Sequence, residues 1–171
     1  MTTSHGGTLH IFTFKHGLLS KVAHDLRLSV AKFSLEMDET QIELTIPVSQ
    51  LQVDGAMKRG ELREKTLSKK DKRDILDNMH KDVLRSGVYP EIRFTGNAEE
   101  SAGDRQFHVT GELQLGAKTL PLRALVERVG DRLHSKVSLV PSRWGIKPFS
   151  AMLGALKVKD RVEIEIVLPA P

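Results

Sequence analysis

The chain has 171 residues, 39% of them apolar and 28% charged, with no cysteine; this composition fits one soluble globular domain over 1–171 and excludes disulfides and thiolate metal sites. Its first residues, Met1-Thr2-Thr3-Ser4-His5-Gly6-Gly7, carry neither a basic nor an apolar segment, so no signal peptide is expected, and no stretch approaches the roughly 20 apolar residues of a membrane span. The net charge of +4 is uneven: Met57 to Arg73 holds eight Lys or Arg against three Asp or Glu, a local +5, which leaves −1 for the remainder. No aromatic residue interrupts that run to stack bases, so nucleic acid is not an expected partner, while an anionic lipid surface or an acidic protein stays open. The expected location is the cytoplasm.

Thr8 to His16 alternates, with His10, Phe12, Phe14 and His16 on one side and Leu9, Ile11 and Thr13 on the other. Period two predicts a strand, and two largely apolar sides predict cover on both faces. A second strand places His24, Leu26, Leu28 and Val30 opposite Asp25, Arg27 and Ser29. A third contains Ile42, Leu44, Ile46 and Val48, and the short apolar pair Leu51 and Val53 follows.

The period then changes. Ile75, Leu76, Met79, Val83 and Leu84 share one helical face. Ser68 and Asp71 have the spacing of a capping box, Gly87 suits the left-handed position past a helix end, and Pro90 prevents resumption. One long helix is predicted over about 69–86, inserted after the third strand.

A meander of strands comes next, through Ile92 and Phe94, then Phe107 to Leu115, then Leu120 to Val126, with Val129-Gly130-Asp131 as a tight hairpin signal before Leu133 to Leu139. Phe149, Met152, Leu153 and Leu156 fall at the spacing of a short helix, which would plug or cover one end of the structure, with Gly145 and Gly154 as hinges and Trp144 beside it. The final strand sets Val158, Val162, Ile164, Ile166 and Leu168 against Lys157, Lys159, Arg161, Glu163 and Glu165. Asp160 falls on the apolar parity, which implies either a bulge there or a buried base such as Arg143 or Arg161. The sum is an all-β protein with one long inserted helix: an eight-stranded antiparallel barrel, with room for packed side chains or for one small ligand.

Several segments resemble the YceI-like family of lipocalin-like, polyisoprenoid-binding proteins. They are Tyr89-Pro90-Glu91-Ile92-Arg93-Phe94, the early Phe12-Thr13-Phe14-Lys15-His16, the run Val109-Thr110-Gly111-Glu112-Leu113-Gln114-Leu115-Gly116-Ala117-Lys118-Thr119-Leu120-Pro121-Leu122, and the ending Lys159-Asp160-Arg161-Val162-Glu163-Ile164. The resemblance implies a lipocalin-like barrel with a lengthwise apolar tunnel for a polyprenyl lipid, a quinone with a polyprenyl tail or a fatty acid derivative. Typical members are exported and carry Gly-x-Phe in the second strand, where this chain has Ala23-His24-Asp25-Leu26-Arg27-Leu28.

No nucleophile elbow or phosphate-cradling glycine loop is present, so no catalytic residue is assigned. His10, His16 and His24 lie on the first two strands without metal-ligand spacing; hydrogen bonding, with Asp25 as a nearby acid for His24, is the expected role. No metal or resident cofactor is expected. The tunnel lining is assigned to Phe12, Phe14, His16, His24, Leu26, Leu28, Phe94, Phe107, Trp144, Phe149 and Met152, with His16 at one end as a headgroup partner. The opposite register of the first strand would bring Leu9, Ile11 and Thr13 inside instead. The functional expectation is a soluble carrier of a long isoprenoid or other amphiphile, with a homodimer and transient membrane contact left open. The alternative is a filled barrel that acts as an interaction module through its basic 57–73 segment.

Overall fold

Strands with one apolar parity hide it, and satisfy their backbone groups, by pairing edge to edge and curling around the dry side. In the computed structural model, which describes residues 2–3 (backbone only), 6–17, 23–100, 103, 105–151 and 156–171, thirteen strands form one antiparallel sheet. They are β1 (Thr2–Thr3), β2 (Thr8–Lys15), β3 (Asp25–Val30), β4 (Ser34–Asp38), β5 (Gln41–Pro47), β6 (Leu51–Lys58), β7 (Glu61–Arg63), β8 (Glu91–Ala98), β9 (Gln106–Leu115), β10 (Lys118–Val129), β11 (Arg132–Leu139), β12 (Ser150–Ala151) and β13 (Leu156–Pro169). The order across the sheet is β1-β4-β5-β8-β9-β10-β11-β13-β2-β3-β6-β7, with β12 paired to β13.

Two expectations change here. The all-β antiparallel class holds, but eight strands is an undercount, and the ladder path ends at β1 and β7 instead of meeting itself. Among the described residues, hydrogen bonding therefore curls the sheet into a half-barrel without closing it. The extra strands were hidden for local reasons. β4 has only Leu35 and Met37 as apolar residues, and its hairpin to β5 turns through Glu39 at φ 52, a non-glycine left-handed residue that gives no turn signal. In β6 the register shifts against β3, because Arg27 faces Gly55 while Leu28 faces Val53. Asp54 is the extra residue of this bulge, and it breaks the alternation.

The helix α1 (Lys69–Asn78) begins at the predicted capping box: Asp71 N–H donates to Ser68 Oγ at 3.0 Å, and Ser68 N–H donates to Asp71 Oδ2 at 2.8 Å. It does not continue to residue 86. A π turn over Met79–Val83 follows, closed by Leu84 N–H to the Met79 carbonyl at 2.8 Å. The left-handed residue after it is Arg85 (φ 51), not Gly87. The helix also comes after β7 rather than after the third strand. It packs on β6, and Leu76, Met79 and Leu84 rest on the apolar cluster of Leu9, Val30, Ile46, Val48 and Leu51.

A second cluster gathers Phe94, Val109, Leu113, Leu115, Leu139, Trp144 and Ile146. Leu44, Leu84, Ile92 and Ile164 are partly buried against both clusters. The predicted helix at 149–156 is corrected as well. Ser150 and Ala151 pair with Lys157 and Leu156 as strands, and Met152 to Ala155 lie outside the described residues. The helical segment near this end is instead a 3-10 turn at Pro141–Trp144. No helix among the described residues is long and apolar enough to cross a membrane.

Candidate functional site: an apolar cavity inside the curled sheet

The inward parities converge on a cavity of about 800 Å³. That lies in the upper part of the roughly 300–1,000 Å³ range of small-molecule sites. Each wall follows from register. In β13, Val162, Ile164 and Ile166 stand opposite Thr13, Ile11 and Leu9 of β2. Ile11 and Thr13 in turn face Leu28 and Leu26 of β3. Opposed residues of an antiparallel pair point to the same side, so this row continues from strand to strand around the interior. Ile42, Leu44 and Ile46 of β5, Ile92 and Phe94 of β8, Phe107, Val109 and Leu113 of β9, and Leu122, Ala124 and Val126 of β10 complete it. Ile75 and Met79 of the helical segment border the same space.

A glycine pair shapes the β8–β9 wall. Gly96 faces Gly111, and a Cβ on Gly111 would lie 2.2 Å from the Thr95 carbonyl oxygen, while one on Gly96 would lie 2.8 Å from Cζ of Phe94. The missing side chains let the two backbones close up and let the Phe94 ring lie across Gly96.

Of the residues assigned to the lining from sequence, His24, Leu26, Leu28, Phe94, Phe107 and Phe149 border the cavity. Phe12, Phe14 and His16 do not: Phe12 faces Arg27 and Glu163 on the outer side, Phe14 lies under the Arg161 guanidinium at 5.0 Å, and His16 is exposed. The interior takes Leu9, Ile11 and Thr13 instead. The physical reason lies in the neighbours. Both faces of β2 are apolar, so its own pattern fixes nothing, whereas the clean alternation of β13 and β3 fixes which side of β2 is dry. Trp144 is also off the cavity wall. It is buried and donates from Nε1 to the Leu113 carbonyl at 3.0 Å, tying the 3-10 turn beneath β9. Met152 lies outside the described residues.

Polar groups also border the cavity. His24 borders the cavity near Asp71, whose carboxyl is held below its ordinary value chiefly by the Ser68 backbone N–H, then by the Ser68 hydroxyl, with His24 adding a smaller pull. Asp25 is not the partner of His24; it accepts the Lys15 N–H at 2.8 Å. Asp160 sits where β13 shifts register against β2, between Val158 and Val162. It accepts the Ser142 N–H at 2.9 Å and the Ser142 hydroxyl, so the bulge alternative holds and the buried-base alternative does not. Among the described residues no three His, Asp or Glu side chains gather as a metal set. The arrangement offers a largely apolar space that could hold an apolar molecule, with a few polar groups at its border. Sequence patterning alone did not single out Lys147 and Lys159, which border the cavity beside Phe149 and Val158.

No curated protein sequence matches the chain closely enough to count as a relative. Among solved structures, Burkholderia cenocepacia BcnA aligns with a TM-score of 0.65 at 18% identity, covering 96% of each chain. A polyisoprenoid binding domain from Saccharophagus degradans, implicated in plant cell wall breakdown, aligns at 0.61 with 11% identity over 98% of this chain and 96% of that one. The Campylobacter jejuni YCEI protein aligns at 0.55 with 14% identity over 90% and 89%. At such identities these likenesses speak for the fold. The model of the YceI-like domain matches residues 3–170, nearly the whole sequence, and the chain therefore belongs to the YceI-like family.

Proposed function

We propose that the chain, working as one unit over 1–171, is a binding protein that sequesters or carries a long isoprenoid or other amphiphile in its cavity. The observation that carries this is the size of the cavity together with its predominantly apolar lining. Burying a prenyl or acyl chain there is worth about 0.8 kcal/mol per methylene, so a dozen carbons suffice for tight retention without a dense set of polar contacts. The polyisoprenoid binding domain of similar fold supports the same ligand class. The ligand-contacting residues in this reading are Leu26, Leu28, Phe94, Phe107 and Phe149, with His24 at the polar rim, and no catalytic step is assigned. A filled barrel working only through its basic segment would need an interior occupied by side chains, and the cavity argues against it.

Native mass spectrometry of the purified protein tests the proposal. A co-purifying hydrophobic adduct, or one restored by adding prenyl or acyl lipids to delipidated protein, is the expected result. A bare mass together with no uptake from a panel of such lipids would overturn it.

A further inference from the structure

Charged groups of both signs border the cavity. Its bordering titratable groups are His24, Asp71, Asp74, His134, Lys147 and Lys159. Both carboxylates are committed to the helix: Asp71 accepts the Ser68 N–H at 2.8 Å, and Asp74 accepts from Lys70 Nζ at 2.6 Å. The two lysines have no such partner; among the described residues, no carboxylate comes within ion-pair distance of either. Val158 N–H donates to the Phe149 carbonyl at 3.1 Å, which brings the segments carrying Lys147 and Lys159 side by side. The register shift between Val158 and Val162 explains how Lys159, on the outward parity of the regular strand, comes to border the interior.

Lysine stems readily lie along apolar surface with the ammonium group in water. At a cavity mouth this geometry offers charge to whatever the apolar chain ends in. We infer that the cavity takes an amphiphile with an anionic headgroup, a carboxylate or a phosphate monoester, and that Lys147 and Lys159 select it. This rests on the lipid-binding function proposed above. Both lysines are exposed, so the selection is electrostatic, salt-sensitive and moderate: about tenfold for the pair.

The test compares matched probes on delipidated full-length protein by competition against a fluorescent fatty-acid analogue: palmitate against palmityl alcohol, and farnesyl phosphate against farnesol. Wild type is expected to favour the anionic member of at least one pair about tenfold at low salt, and the pair showing it identifies carboxylate or phosphate. In the Lys147→Gln/Lys159→Gln double variant that preference is expected to vanish while alcohol binding stays unchanged, and Lys147→Arg/Lys159→Arg is expected to restore it. Lysines serving only to cover apolar surface would not move the acid-to-alcohol ratio. Equal binding of acid and alcohol by wild type, or a preference that survives the double glutamine variant, overturns the inference and leaves the cavity's function standing. Binding of no probe at all overturns both.

Discussion

At the scale of single residues, the sharpest test of the site is which side of β2 is dry. Ile11 faces Leu28 and Ile164 across its two ladders, whereas Phe14 lies outside under Arg161. Ile11→Trp should fill part of the cavity and reduce lipid uptake severalfold by fluorescence displacement, and Phe14→Trp should leave uptake unchanged; the reverse pattern would place the ligand elsewhere. This residue-level assignment was legible only through neighbours. Leu26 and Leu28 could be placed because Arg27 between them and Ser29 after them are polar, but Phe12 and Phe14 alternate with Leu9 and Ile11, and aromatic size misdirects. The outer position of the two rings becomes intelligible once their partners are known: Arg27 opposes Phe12 and also pairs with Asp54 at 2.8 Å. Asp160 gives a second residue-scale outcome. Its carboxylate holds both Ser142 donors, and Asp160→Ala should lower stability by about 1–2 kcal/mol, read as a drop in urea midpoint.

At the scale of elements, what the sequence revealed were the strands with one clean parity and the helix start. The Ser68 capping box is one such signal, and Ser68→Ala should cost about 1 kcal/mol in chemical denaturation. The π turn was not legible, since its apolar residues Met79, Val83 and Leu84 fit an unbroken helix equally well. The β8–β9 pair rests on its glycines. With 2.2 Å between a Cβ on Gly111 and the Thr95 oxygen, Gly111→Ala should push the two strands apart and destabilise by about 1–3 kcal/mol. The outer face of the same region is pinned by Glu99, which bonds Arg123 of β10 and Thr110 of β9. The Arg123 guanidinium first, and then the Thr110 hydroxyl, pull the Glu99 pKa from the ordinary 4.5 to about 2. A depressed folded-state pKa stabilises above the unfolded value and is lost as protons return. Glu99 therefore contributes fully above pH 4.5 and progressively less as pH falls toward about 2. In an acid titration followed by circular dichroism, Glu99→Gln should flatten the pH dependence of stability across that window; an unchanged slope would remove Glu99 from the account.

At the scale of the molecule, the sheet's ends at β1 and β7 are the consequential feature, and it is the one that counting amphipathic strands could not supply. A closed ladder holds its contents behind backbone hydrogen bonds on all sides. Here part of the wall is instead supplied by α1 and the π turn, through Ile75 and Met79. That wall is lightly held: no residue of either segment is buried. The strands opposite are long and mutually paired, ten residues of β10 against β9 and eight of β11 against β13. Local opening free energies follow buried apolar contact and backbone pairing, so the helical wall should open well before the sheet does. Hydrogen–deuterium exchange on delipidated protein should show amides of Lys72 to Val83 exchanging at least tenfold faster than those in the centres of β9, β10 and β13. Lipid loading should slow the helical amides most, because an occupant of the cavity gains contacts with Ile75 and Met79 that exist only while the helix is seated. Uniform protection along the chain, or protection by lipid confined to the strands, would mean that the helix is as firmly fixed as the sheet and that a ligand enters by another route.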